Sequence, residues 1–137
     1  MMVLDASAAI ALASGEVDES ENEELIAFLE VERLIAPRFL CVEAANAAWK
    51  FTHAGLLPER ESARMMAAAI GHIDEFFDDA DLIGEAFSEA IRLDHSVYDM
   101  IYYVLARRKG AKLATADKKL ARLCEANGIA CVRVLDL

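Results

Sequence analysis

Two short stretches decide how this chain folds: Met2-Val3-Leu4-Asp5-Ala6-Ser7 near its start and Lys112-Leu113-Ala114-Thr115-Ala116-Asp117 near its end. In each, a brief apolar run of strand length ends at an aspartate, and a segment of helical pattern follows. Working outward, Leu34-Ile35-Ala36 reads as another short strand stopped by Pro37, and Ile129–Leu135 as a last one. Between them Glu16–Glu24 reads as an acidic loop leading into an amphipathic helix through about Glu32 (apolar stripe Leu25, Ile26, Phe28, Leu29), and the pattern predicts another helix from Arg38 to about His53 with Gly55 as its cap. Further helices are expected from Pro58 to about Phe76, over Leu82–Leu93, from Ser96 to about Arg108 closed by Gly110, and over Asp117–Asn127 ending at Gly128. Strands alternating with helices predict a three-layer α/β/α sandwich around a mostly parallel sheet, with sites beyond the carboxyl ends of the strands.

The bulk properties are consistent with one domain over 1–137. A hydrophobic fraction of 56% argues against disorder, and a chain of this size buries about 68–70% of its unfolded surface. No apolar run approaches the ~20 residues of a membrane span. The opening Met1-Met2-Val3-Leu4-Asp5 has no basic leader, so cytoplasm is the expected address. Cys41, Cys124 and Cys131 have no metal-ligand or disulfide-framework spacing and read as small buried side chains; His53, His72 and His95 are assigned no metal role.

The net charge of −10 is unevenly spread. Nine acids and no Lys or Arg occur up to Glu32, whereas the chain from Met100 onward carries a net +5. Arg107, Arg108, Lys112, Lys118 and Lys119 in that basic end are candidates for guiding nucleic-acid phosphates. An ordinary solvated surface is the competing reading.

Four acids stand where the fold does not obviously need them. Glu43 lies among Phe39-Leu40-Cys41-Val42 and Ala44-Ala45, on a helix that reads as nearly buried, where an unpaired carboxylate costs several kcal/mol. A salt bridge to a distant arginine is the structural alternative. Asp99 follows Ser96-Val97-Tyr98 like the far end of a capping box. Asp5 and Asp117 would each serve as a helix N-cap, a role worth about 1 kcal/mol. Together, however, the four can converge, and two carboxylates about 4 Å apart repel by roughly 4 kcal/mol at an effective dielectric of 20. Such a cluster needs a counter-charge, and oxygen-only ligation suits Mg²⁺ or Mn²⁺ rather than zinc. If the oxygens scatter, or an arginine seals each one, this reading fails.

At these residues the chain resembles PIN-domain proteins, and more narrowly the VapC-type toxins of toxin–antitoxin pairs. The matching pieces are Val3-Leu4-Asp5-Ala6-Ser7, Pro37 with Val42-Glu43-Ala44-Ala45-Asn46-Ala47, Ser96-Val97-Tyr98-Asp99 running into Tyr102 and Ala106, and Leu113-Ala114-Thr115-Ala116-Asp117. The resemblance implies a Mg²⁺- or Mn²⁺-dependent endoribonuclease, with Asp5, Glu43, Asp99 and Asp117 as catalytic and metal-binding acids and with Ser7 and Thr115 in support. It also implies an RNA substrate, a cognate antitoxin that blocks the acidic pocket, and a homodimer. Two alternatives remain open. One is a non-catalytic binding protein on the same fold. The other is a Mg²⁺-dependent phosphatase or phosphotransfer domain, for which Asp5-Ala6-Ser7 lacks a second acid.

Overall fold

The structure, a computed structural model, describes residues 1–14, 23, 27, 29 and 31–134. Most of the acidic loop expected over 16–24 and of the helix expected after it, with its stripe Leu25, Ile26 and Phe28, and the last expected strand residue, Leu135, lie outside the described residues. Five strands, β1 (Met2–Leu4), β2 (Leu34–Pro37), β3 (Glu75–Phe77), β4 (Lys112–Thr115) and β5 (Cys131–Arg133), form one sheet in the order β3-β2-β1-β4-β5. Every pairing is parallel: Val3 stands opposite both Ile35 and Leu113, and Leu4 opposite Ala114. Strands β1, β2 and most of β4 are buried, as their unbroken apolar sequences require of a sheet covered on both faces.

The described helices are α1 (Ala6–Ser14), α2 (Phe39–His53), α3 (Glu59–Gly71), α4 (Ile83–Leu93), α5 (Val97–Lys109) and α6 (Lys118–Ala126). Helices α1, α2 and α3 pack on one another, α4 packs on α5, and α5 lies against β1, β2 and β4. Residues Met100 to Ala106 of α5 are all buried, with Tyr102 and Tyr103 among the largest fully enclosed side chains. The caps follow sequence chemistry: Ser96 accepts the Asp99 N–H at the start of α5, and Gly110 ends that helix at a left-handed φ of 59°.

Two expectations are corrected. The helix from Pro58 does not run to Phe76; it stops at Gly71, and Glu75–Phe77 is an edge strand beside β2. Asp74 causes the exit. Its N–H donates to Leu34 O and its carboxylate accepts the Leu34 N–H, both at 2.8 Å, which lays the chain along the sheet. Nor is α2 nearly buried. It buries only Leu40, Ala44 and Ala48, while Val42 and Trp49 are exposed, so an apolar surface faces outward.

The order of the strands fixes where a site can form. From β1 the chain adds strands to one side (β2, β3), then crosses to the other (β4, β5). The crevice beyond the carboxyl ends of β1 and β4 is therefore the topological switch point, the usual ligand position of open parallel sheets. Among the described residues no helix is long and apolar enough to cross a membrane.

Candidate active site

Asp5 leaves the end of β1 at this switch point and caps α1, its Oδ1 accepting the Ala8 N–H at 2.9 Å. The same oxygen accepts the Ser7 hydroxyl at 2.6 Å, and Oδ2 accepts the hydroxyl of Thr115 from the end of β4. Each hydroxyl is itself held by a backbone donor: Ala116 N–H to Ser7 Oγ at 2.9 Å and Asp117 N–H to Thr115 Oγ1 at 3.0 Å. Both hydroxyl protons are thereby aimed at Asp5. Although three donors favour its charged form, Asp5 is only 6% exposed, and burial pushes its pKa up to about 6, with Asp99 adding repulsion.

Glu43 extends from α2 and accepts the phenolic hydroxyl of Tyr102 on α5 at 2.6 Å. Burial raises its pKa and the Tyr102 hydrogen bond opposes the rise; repulsion from Asp99 adds to it. The Tyr102 hydroxyl is held protonated well above the usual phenol range, by burial first and by Glu43 second. Asp99, in the first turn of α5, thus acts electrostatically on both other acids. Only half of the expected capping box forms, because the Asp99 carboxylate turns to His95 Nε2 at 2.7 Å rather than back to the cap. Asp94, in the left-handed conformation at φ 52°, turns the chain so that His95 follows α4 into this position; the His95 side chain is 4% exposed and its Nδ1 has no partner.

Asp117 caps α6 as its position suggested, and both of its capping bonds, from Lys119 and Leu120 N–H, go to Oδ1. It shares a hollow with Asp99, His95 and Lys119. A second cleft, of about 620 Å³, runs between α1 and α2, lined by Ser7, Glu43, Asn46, Lys50 and Tyr98 among others. Asp5, Glu43 and Asp99 therefore share one electrostatic field, with Asp117 beside Asp99. Among the described residues no Lys or Arg bonds to any of the four. The arginine seal is ruled out for these residues. Equally, no three His, Cys, Asp or Glu groups among the described residues stand close enough to hold a metal ion as they are. The expected gathering of the four acids on one shared ion is thus not present among the described residues; what fits Mg²⁺ or Mn²⁺ is the chemistry of the donors, hard carboxylate oxygens with no lysine or arginine partner, Asp99 being held by His95.

The basic candidates separate. Lys119 reaches the hollow beside Asp99 and Asp117, and Lys118 adjoins it in sequence at the start of α6. Arg107 and Arg108 are not brought to the acids. They sit at the far end of α5 and clamp it to α4 through Glu85, with Arg107 also 3.3 Å from Glu89. Lys112 begins β4, at the opposite end of the strand from Thr115. His95, Asn46 and Lys50 are the site residues that sequence reasoning did not single out. The only available signal was helical spacing: Glu43, Asn46 and Lys50 recur on one face of α2.

Comparisons with known proteins agree with this fold. The family model described as PIN domain matches residues 2–126. Ribonuclease VapC3 of Pyrobaculum aerophilum is 32% identical over 126 residues, covering 88% of this chain and 92% of the relative. In fold, a crystal structure of a P. aerophilum protein superposes with a TM-score of 0.73 at 23% identity, over 96% of this chain and 83% of that one. A VapBC2 structure from Rickettsia felis, bound to a DNA fragment from its promoter, gives 0.68 at 12% identity over 97% and 98%. DNA-bound VapBC from Salmonella typhimurium gives 0.66 at 19% identity over 96% of each chain.

Proposed function

Since the chain belongs to the PIN-domain family, we propose that it is a Mg²⁺- or Mn²⁺-dependent endoribonuclease, the toxin of a toxin–antitoxin pair acting in the cytoplasm. One observation carries this reading: Asp99 repels both Asp5 and Glu43, and among the described residues no lysine or arginine is bonded to any of the three. A folded chain that keeps such a group of charges has a use for a bound cation.

Asp5, Glu43, Asp99 and Asp117 are the residues that would hold the cation. When bound, it lowers the pKa of water and offsets negative charge building on the phosphate. Water oxygen then bonds to phosphorus, the bond to the 3′ oxygen breaks, and that oxygen takes a proton, leaving 5′-phosphate and 3′-hydroxyl ends. Ser7 and Thr115 fix the Asp5 carboxylate by donating to both its oxygens. Tyr102 donates to one oxygen of Glu43, Oε1, and favours its ionised form. Lys119 lines the hollow beside Asp99 and Asp117, which supports a role in meeting a phosphate oxygen. A cognate antitoxin is the partner proposed to block the acidic pocket, and the exposed apolar row Ile83, Phe87 and Ile91 on α4 is proposed as the homodimer contact.

The test is direct. Purified protein is incubated with a panel of structured and unstructured RNAs in Mg²⁺, Mn²⁺ or chelator. Cleavage should require the cation and vanish in Asp5→Asn and Asp99→Asn. Intact RNA in every cation, with folded protein, overturns the proposal in favour of a non-catalytic binding role.

A further inference from the structure

Tyr98 precedes Asp99 in the first turn of α5, yet it is 61% exposed. Its ring is stacked on Phe39, at the start of α2, with centroids 5.3 Å apart and planes 12° from parallel. Phe39 is half-buried and packed against the core, so it anchors the stacked pair, and both rings line the cleft that also holds Glu43. A tyrosine held flat against a second ring has already lost most of its rotamer freedom, so a flat ligand meeting it loses little more entropy on binding. Along the same cleft, α2 presents Val42, Asn46 and Lys50. Glu43 and Lys50 are two helical turns apart, a rise of about 10 Å. The cleft thus offers an apolar face, an amide and a cation in a row leading away from the carboxylates.

We propose that Tyr98, braced by Phe39, is a stacking platform for an unpaired base of single-stranded RNA next to the scissile phosphate. Asn46 then serves the edge of that base, and Lys50 the phosphate farther along the strand. This rests on the nuclease reading and narrows it to single-stranded substrate. A base inside a duplex has both faces covered and cannot lie on a side-chain ring. Charge also selects the occupant. A chain of phosphates finds a cation at Lys50 and, at the carboxylate end, the proposed divalent ion. Stacking tolerates any base, because every base has a π-face, so Tyr98 confers preference for unpaired strands while Asn46 supplies base discrimination.

The experiment measures fluorescence anisotropy of a labelled random-sequence single-stranded RNA, in Mg²⁺, with the Asp5→Asn protein so that nothing is cut. Adding Tyr98→Ala should weaken binding about tenfold or more. Tyr98→Trp should restore it, and the same RNA annealed to its complement should be indifferent to the change. Lys50→Ala should lower affinity and reduce the salt slope by about 1. In otherwise wild-type protein the Tyr98→Ala effect should fall on KM more than on kcat. Unchanged single-strand affinity, equal loss for single and double strands, or no single-strand binding by the Asp5→Asn protein each overturns the platform. So does a Tyr98→Ala variant that loses only its affinity for a protein partner. The two readings fail separately. Tyr98-dependent binding without cleavage by wild-type protein removes the nuclease, whereas cleavage indifferent to Tyr98 removes the platform.

Discussion

Tyr102 on α5 donates its phenolic hydrogen to Oε1 of Glu43 on α2 at 2.6 Å, tying the helix beneath the sheet's switch point to the helix that walls the cleft. The bond favours the ionised carboxylate against the burial that disfavours it. Tyr102→Phe should destabilise the fold by about 0.5–1.5 kcal/mol. It should also raise the Glu43 pKa further, because only the opposing contribution is removed. The acid limb of the pH–rate profile should then move to higher pH, which rate measurements and carboxyl NMR can follow together. An unmoved limb means that Glu43 ionisation does not govern the rate.

Asp5 makes a prediction with a fixed sign. Its folded pKa of about 6 lies above its ordinary 3.8, so between those values the native state binds the proton more tightly than the unfolded chain does. The Asp5 contribution to stability is thus present at low pH and is lost as pH rises through that window, at up to about 1.4 kcal/mol per pH unit. Asp5→Asn should remove this slope and be about 1 kcal/mol or more stabler near neutrality in chelator, while abolishing cleavage. Denaturant melts of both proteins across the window check it; a less stable Asn variant would mean that hydrogen-bond geometry outweighs charge.

Divalent cation should stabilise the folded state by mass action, by about 2.7 kcal/mol at a concentration near 100 times its Kd. Thermal melts should show that gain for wild type with Mn²⁺ or Mg²⁺ and a much smaller one for Asp99→Asn. Asp99 is the acid that repels both Asp5 and Glu43. Equal stabilisation of the two proteins would place the cation elsewhere.

The basic end of the chain should divide by function. Lys119→Ala should weaken RNA binding and lower its salt slope by about 1, with little change in melting temperature. Arg107→Ala should leave the salt slope alone and loosen the α4–α5 clamp, since Arg107 is engaged with both Glu85 and Glu89. A salt slope that responds to Arg107 would restore it to the RNA surface.

Sedimentation should find wild-type protein as a dimer and Phe87→Glu as a folded monomer. Phe87 is exposed at the centre of the apolar row on α4, and a charge there could not be buried against a second copy. A monomeric wild type sinks the dimer proposal.

How much of this could be read beforehand depended on the range of the interactions. The ends of β1 and β4 were legible because strand, acid and helix are adjacent in sequence, and the caps at Ser96 and Asp117 are local chemistry. Strand β3 was not, since three residues carry no usable periodicity and it is Asp74, bonded to Leu34 forty residues away, that takes the chain out of its helix. The apolar sequence of α2 was misread as burial because composition cannot distinguish a core face from an exposed one. Arg107 and Arg108 looked available for phosphate because Glu85, their partner, is supplied by another helix. His95 was passed over for a similar reason: its placement depends on a left-handed turn at Asp94 that no pattern announces.

The hydroxyl pair around Asp5 limits what that residue can offer. A carboxylate has about four lone-pair directions, and Ser7, Ala8 and Thr115 already take up three of them. Asp5 can therefore touch an ion with a single oxygen and cannot grip it with both. One-point attachment suits a compact, rigidly octahedral cation better than a large one that welcomes two-oxygen carboxylate ligands. Two small alcohols, by occupying their neighbour's lone pairs, would thus bias the proposed site towards magnesium-sized ions over calcium.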